Sequence, residues 1–155
     1  MQKRRSRKRG SWVADFETTT DANDCRVWSW FLVDINGNLT VDDVEVGTDL
    51  NSFVERISER DEIVYFHNLK FDGTFIIDWL FREGYAHRDK AAMPGEFSTL
   101  ISSMGAFYTV TVHWENGKKT EFRDSLKKLP FSVARIGEAF KLDVVKGEID
   151  YHAPR

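Results

Sequence analysis

One run of residues limits the folds open to this chain more than any other: Trp12-Val13-Ala14-Asp15-Phe16-Glu17-Thr18-Thr19. Its β-branched and aromatic residues suit a strand. Side chains on a strand alternate between faces. Val13, Asp15 and Glu17 therefore share one face, while Ala14 and Phe16 point the other way, into a predicted core. Two carboxylates so close repel unless positive charge stands between them. Carboxylate oxygens suit a hard divalent cation, Mg²⁺ or Mn²⁺. A strand with a merely acidic solvent face has the same pattern, so the pair alone does not separate a site from a surface.

A second stretch, Tyr65-Phe66-His67-Asn68-Leu69-Lys70-Phe71-Asp72-Gly73, offers another carboxylate. Glu62 to Phe66 reads as a short buried strand. Asp72-Gly73 reads as the start of a helix with Phe75, Ile76, Trp79 and Leu80 on one face and Gly84 as its stop. Asp72 then follows a strand that neighbours the first, at a predicted sheet edge where ligand sites form. It also suits the N-cap of that helix. Tyr65 and His67 alternate with Phe66 and are predicted to share a face with Leu69.

The remaining segments give the same mixture. Residues 26–35 and 39–46 form a predicted hairpin across Asn36-Gly37-Asn38. Thr48-Asp49 can cap a helix over 49–59, with Leu50, Phe53, Val54 and Ile57 on its apolar face. Residues 85–98 read as a loop turning at Met93-Pro94-Gly95. Strand-like alternation over 99–114 breaks at Gly105, and a further strand runs over 119–124. Ser132 can cap a short helix that buries Val133, Ile136 and Phe140. Strands interleaved with helices predict a mixed sheet flanked by helices, an α/β domain.

At 155 residues the chain is one domain or part of one. A hydrophobic content of 41% with 14% aromatic is globular rather than disordered. Cys25 is the single cysteine, so no internal disulfide forms, which fits a reducing compartment. No apolar run has the length of a membrane span. The net charge of −3 hides an asymmetry. Six of the 22 basic residues fall within the first ten, leaving 16 against 25 acidic residues, an excess of nine negative charges. Residues 1–10 thus read as a basic flexible arm able to touch phosphates, or as a plain solvated tail, ahead of a folded body over 11–155.

Taken together, the motifs resemble the exonuclease motifs of family-B DNA polymerases, and most of all the protein-primed branch of small linear-genome phages of the phi29 type. Asp15-Phe16-Glu17-Thr18-Thr19 is similar to the first motif, and Asn68-Leu69-Lys70-Phe71-Asp72 to the second. Asp124-Ser125-Leu126-Lys127-Lys128-Leu129-Pro130 resembles a primer-strand-binding segment. Lys146-Gly147-Glu148-Ile149-Asp150-Tyr151-His152 resembles a segment carrying a catalytic-site lysine. Each match alone is weak. Their order and spacing over nearly the whole chain make the set specific.

The resemblance implies a ribonuclease-H-like exonuclease domain, a proofreading 3′–5′ hydrolase of single-stranded DNA ends working in the cytoplasm of a phage's host. It implies two divalent ions, Mg²⁺ or Mn²⁺, held by Asp15, Glu17 and Asp72. Lys146 would face the scissile phosphate and Tyr151 the attacking water. Thr18, Tyr65, His67, Asn68, Phe71, Phe75, Ser125 and Leu126 would lie along the DNA strand. Core burial is the competing reading for Phe71 and Phe75, strongest for Phe75.

The sequence departs from the family at its third motif, Tyr-x-x-x-Asp. The chain stops at Arg155 without it, and Tyr85-Ala86-His87-Arg88-Asp89 fits the pattern only in a predicted loop, as a coincidence. The expectation is a domain truncated before that motif, weak alone, whose partners include the remaining polymerase polypeptide and a terminal protein. The alternative is a catalytically incomplete module that binds single-stranded DNA or serves a polymerase as an accessory.

Overall fold

The computed structural model describes residues 9–37, 40, 43–105 and 107–141, with the backbone alone at 107, 108, 127 and 137. Eight strands form one mixed sheet: β1 (Gly10–Thr18), β2 (Val27–Asp34), β3 (Val44–Gly47), β4 (Glu62–Phe66), β5 (Ala86–His87), β6 (Glu96–Ile101), β7 (Phe107–His113) and β8 (Lys119–Asp124). Their order is β3-β2-β1-β4-β8-β7-β6-β5. The centre is parallel, β1 beside β4 and β4 beside β8, with antiparallel strands on both sides. The predicted mixed sheet with flanking helices is therefore the observed architecture.

Two helices, α1 (Leu50–Ser58) and α2 (Leu69–Arg82), cover one face of the sheet. Alternation puts Ala14, Phe16, Val64, Phe66, Phe122, Val110 and Val112 under them, and all seven are buried. Phe16, Phe53 and Phe66 lock this core edge to face, with ring centroids 4.8 and 5.0 Å from Phe16. Trp12, Trp30 and Trp114 are buried as well. Glycine is required at Gly47, where a Cβ would stand 2.3 Å from the Trp30 ring. The other sheet face is open. Val13, Phe31, Val44 and Val46 lie on it side by side through the strand register and are exposed.

Several local expectations change. α2 starts at Leu69, three residues before Asp72, because Leu69 itself is buried in the core. Its N-cap is Asn68, so Asp72 sits in the first turn rather than capping. Burial of Leu69 also takes it off the face of Tyr65 and His67. Asp72 meets the end of β1, at the strand-end edge of the sheet's central strands rather than beside an edge strand. The predicted loop over 85–98 contains β5, paired in parallel with the start of β6. In α3 (Val133–Ala139), Ser132 does cap, accepting from the Arg135 N–H at 3.3 Å. Val133 and Phe140 are nevertheless exposed, because no strand lies behind that helix among the described residues. Gly84 ends α2 in the left-handed region at φ +82°, as expected. Of the basic arm, residues 1–8 lie outside the described residues. Arg9 is paired with Glu121 at 2.8 Å and Gly10 opens β1.

Candidate active site

β1 runs further than its neighbour. Val13 is the last of its residues paired with β4, which ends at Phe66 and turns away. The end of β1, from Asp15 to Thr18, therefore projects past β4 toward the first turn of α2. A break in the β1–β2 register between Glu17 and Thr18 marks this end, a device that re-aims side chains.

Asp72 comes to the same place from the helix. It is only 4% exposed, and its Oδ1 is buried without a hydrogen-bond partner. Burial raises its pKa, and the Asp15 charge raises it next, with Glu17 adding a smaller push, to about 7. The backbone amides of Asp72 and Phe16 act the other way without offsetting this. Asp15 is exposed and accepts from the Phe16 N–H at 3.1 Å, while Glu17 is half-buried. The three carboxyl groups thus act on one another electrostatically. Among the described residues, no group of three or more His, Cys, Asp or Glu side chains is arranged to hold an ion.

Beside the carboxylates, two loops are stitched together. Asn68 is left-handed at φ 73° and gives no side-chain cap to α2. Its N–H donates to Asp124 Oδ1 at 3.1 Å, and the same oxygen accepts from the Leu126 N–H at 2.8 Å. His67 spans the gap with both ring nitrogens, Nδ1 to Ser125 Oγ at 3.1 Å and Nε2 to the Phe131 carbonyl at 2.7 Å. Ser125 Oγ donates to the Phe66 carbonyl at 3.2 Å. Both nitrogens of His67 are thus taken up by protein groups, which leaves it little part as a metal ligand.

The predicted strand-binding residues fall around these loops. Phe71 is 51% exposed on the first turn of α2, and its ring meets Phe75 edge on at 5.7 Å. Phe75 is half-buried against the core. Tyr65 lies on the open face, with Lys128 Nζ 5.4 Å from its ring centroid and an Arg123 guanidinium N–H reaching its hydroxyl at 3.5 Å. Thr18 ends β1, and Ser125 and Leu126 open a single 3-10 turn after β8. Lys146 and Tyr151 lie outside the described residues. Asp89 is exposed past β5, five strands away from β1, so it stands far from the other carboxylates. Asp124 was missed. Strand parity could have found it, since Thr120, Phe122 and Asp124 alternate onto the covered face and a carboxylate there must be hydrogen-bonded.

Known proteins resemble this chain in sequence and fold. A family model described as DNA polymerase type B, organellar and viral, matches residues 54–155. The DNA polymerase of Bacillus phage B103 is 44% identical over 145 residues, covering 91% of this chain and 25% of that protein. The DNA polymerase of Bacillus phage phi29 is 41% identical over 151 residues, covering 95% of this chain and 26% of that protein. The chain thus spans about a quarter of the length of these curated relatives. A structure of phi29 DNA polymerase complexed with single-stranded DNA superposes with a TM-score of 0.83 at 40% identity, over 96% of this chain and 26% of that one. Its orthorhombic crystal form gives 0.84 at 39% identity, again over 96% and 26%. No described helix is long and apolar enough to cross a membrane. With two thirds of its length inside the family model and sequence and fold alike matching phage polymerases, the chain belongs to the organellar and viral type-B DNA polymerases.

Proposed function

We propose that this chain is the proofreading part of a protein-primed phage DNA polymerase, a metal-dependent 3′–5′ exonuclease acting on single-stranded DNA ends. The observation that carries the reading is Asp72: a buried carboxyl with an unpartnered oxygen, placed where Asp15 and Glu17 add to its burden. A carboxyl group in that position gains most from a cation among the three. Asp15, Glu17 and Asp72 would hold the divalent ions, Mg²⁺ or Mn²⁺, with the donor set closing around them on binding. The bound ions would supply an activated water and relief of charge on the scissile phosphate.

The chain's own groups would orient the strand. Phe71 offers an exposed ring for a base to stack on, while Phe75 holds that ring from behind. Asn68 and Thr18 flank the carboxylates with hydrogen-bonding side chains. Ser125, tied to His67, and Leu126, tied to Asp124, hold the far wall. Tyr65, with Lys128 and Arg123 beside it, forms an electropositive patch for the phosphate backbone. Lys146 and Tyr151 would face the phosphate and the water on the resemblance alone. Partners on this reading are a single-stranded 3′ end, the remaining polymerase polypeptide and a terminal protein, in the host cytoplasm.

The test is the full chain incubated with Mn²⁺ and a 5′-labelled single strand. Weak mononucleotide loss from the 3′ end is expected, removed by chelation. Asp15→Asn with Glu17→Gln should slow it on the order of 10²-fold or more. Hydrolysis that survives this pair of changes rejects the reading. One observation favours a binding module instead: no ion-holding group of three stands ready-made among the described residues. On that reading the oligonucleotide binds equally well with and without Mn²⁺ and is never cut.

A further inference from the structure

We infer that Asp124 is a positioning residue, the buried carboxylate at the end of β8 that makes the two proposed DNA-contacting loops one surface. The inference rests on the nuclease reading for the ligand, and on geometry alone for the coupling.

Asp124 faces the covered side of the sheet and is 7% exposed. A carboxylate there is desolvated, and only hydrogen bonds recover that loss. It receives two on a single atom, Oδ1, from the Asn68 and Leu126 N–H groups at 3.1 and 2.8 Å. These donors come from different segments. Asn68 leads into α2 and hence to Phe71 and Asp72; Leu126 belongs to the turn after β8. Asn68 also holds a left-handed backbone, at φ 73°, a conformation uncommon outside glycine that asparagine tolerates better than most residues. Its own side chain does not cap the helix, so the restraint on its N–H is external. Because one oxygen serves both amides, a shift of either loop moves the other. The His67 bridge to Ser125 and Phe131 joins the same loops by separate atoms, and the β8 ladders to β4 and β7 run through backbone groups, not through the Asp124 side chain. Removing the carboxylate should therefore loosen the surface without unfolding the sheet.

The experiment compares the full chain with Asp124→Ala and Asp124→Asn by two readouts. The first is amide hydrogen exchange. Asn68 and Leu126 should exchange at least about tenfold faster in Asp124→Ala, while the β4 and β8 amides hold their rates; Asp124→Asn, which keeps an acceptor oxygen, should restore much of the protection. Should Asp124→Ala not fold, Asp124→Ser, too short to reach both amides, takes its place. The second is affinity for a fluorescent single-stranded oligonucleotide in Ca²⁺. A loss on the order of 10-fold is expected, the scale at which supporting groups act, and a smaller loss when Asn68→Ala is already present. Unchanged exchange at Asn68 and Leu126 overturns the inference whatever the parent chain binds. Losses from Asp124→Ala and Asn68→Ala that simply multiply overturn the coupling. Faster exchange in a family of variants whose parent binds no oligonucleotide rejects the nuclease reading, and with it the DNA-facing half of this inference.

Discussion

Asp72 is the residue whose chemistry changes most when the chain folds. Its carboxyl moves from an ordinary 3.8 to about 7, burial first and Asp15 second. The folded state therefore holds the proton more tightly than the unfolded state. Stability from this group is intact below about pH 4 and falls as the pH rises toward 7, by on the order of 4 kcal/mol. In metal-free buffer, the chain should accordingly melt at lower temperature at pH 8 than pH changes at other groups alone would give. Asp72→Asn should remove that loss and raise the melting temperature at pH 8. Mn²⁺ should do the same for the unaltered chain and nothing for Asp72→Asn. An Asp72→Asn chain that melts lower at pH 8 would mean that the carboxylate is already compensated within the protein.

At the level of elements, the first turn of α2 carries both structure and the proposed chemistry. Leu69, Ile76 and Leu80 anchor it in the core, while Phe71 on the opposite side is half exposed. Phe71→Ala with Asn68→Gly, glycine suiting the left-handed backbone at 68, should therefore leave the melting temperature near its original value and weaken oligonucleotide binding. The loss should be about ten- to hundredfold, the worth of one stacked base. Equilibrium titration checks it, and an unchanged affinity would move the strand elsewhere. α1 shows the contrasting case of a purely structural end. Asp49 accepts from the Ser52 N–H at 2.8 Å, a pairing the sequence pattern anticipated. Asp49→Ala should cost about 0.5–2 kcal/mol in denaturant unfolding without touching DNA affinity.

For the whole molecule, two surfaces differ in kind. An acidic body can bind DNA only where its cations gather, so affinity should fall steeply with salt, and a flat dependence between 50 and 200 mM would speak against phosphate contacts. Along β1, β2 and β3 the open sheet face carries an apolar patch instead, with Val13, Phe31, Val44 and Val46 adjacent. A hydrophobic dye should bind there, and Phe31→Lys with Val46→Lys should reduce its fluorescence without lowering stability.

Read alone, the sequence determined the pieces with strong periodicity. Alternation in β1 placed Asp15 and Glu17 on one face with Val13 and sent Phe16 inward. The i, i+3, i+4 pattern located α1, and Gly84 marked the end of α2. The ordered motifs led to the family. These features are local, so the residues themselves carry them. Tertiary structure decided the rest. α2 begins at Leu69 because core burial outweighs the capping preference of Asp72. β5 forms because a strand distant in sequence offers it a partner, and α3 exposes Val133 and Phe140 because amphipathic spacing does not supply a surface to pack on. Above all, the rise in the Asp72 pKa and the linkage of Asn68 to Leu126 through Asp124 arise only once β1, β4 and β8 lie together. Desolvation and shared hydrogen bonds depend on neighbours that the order of residues along the chain does not name.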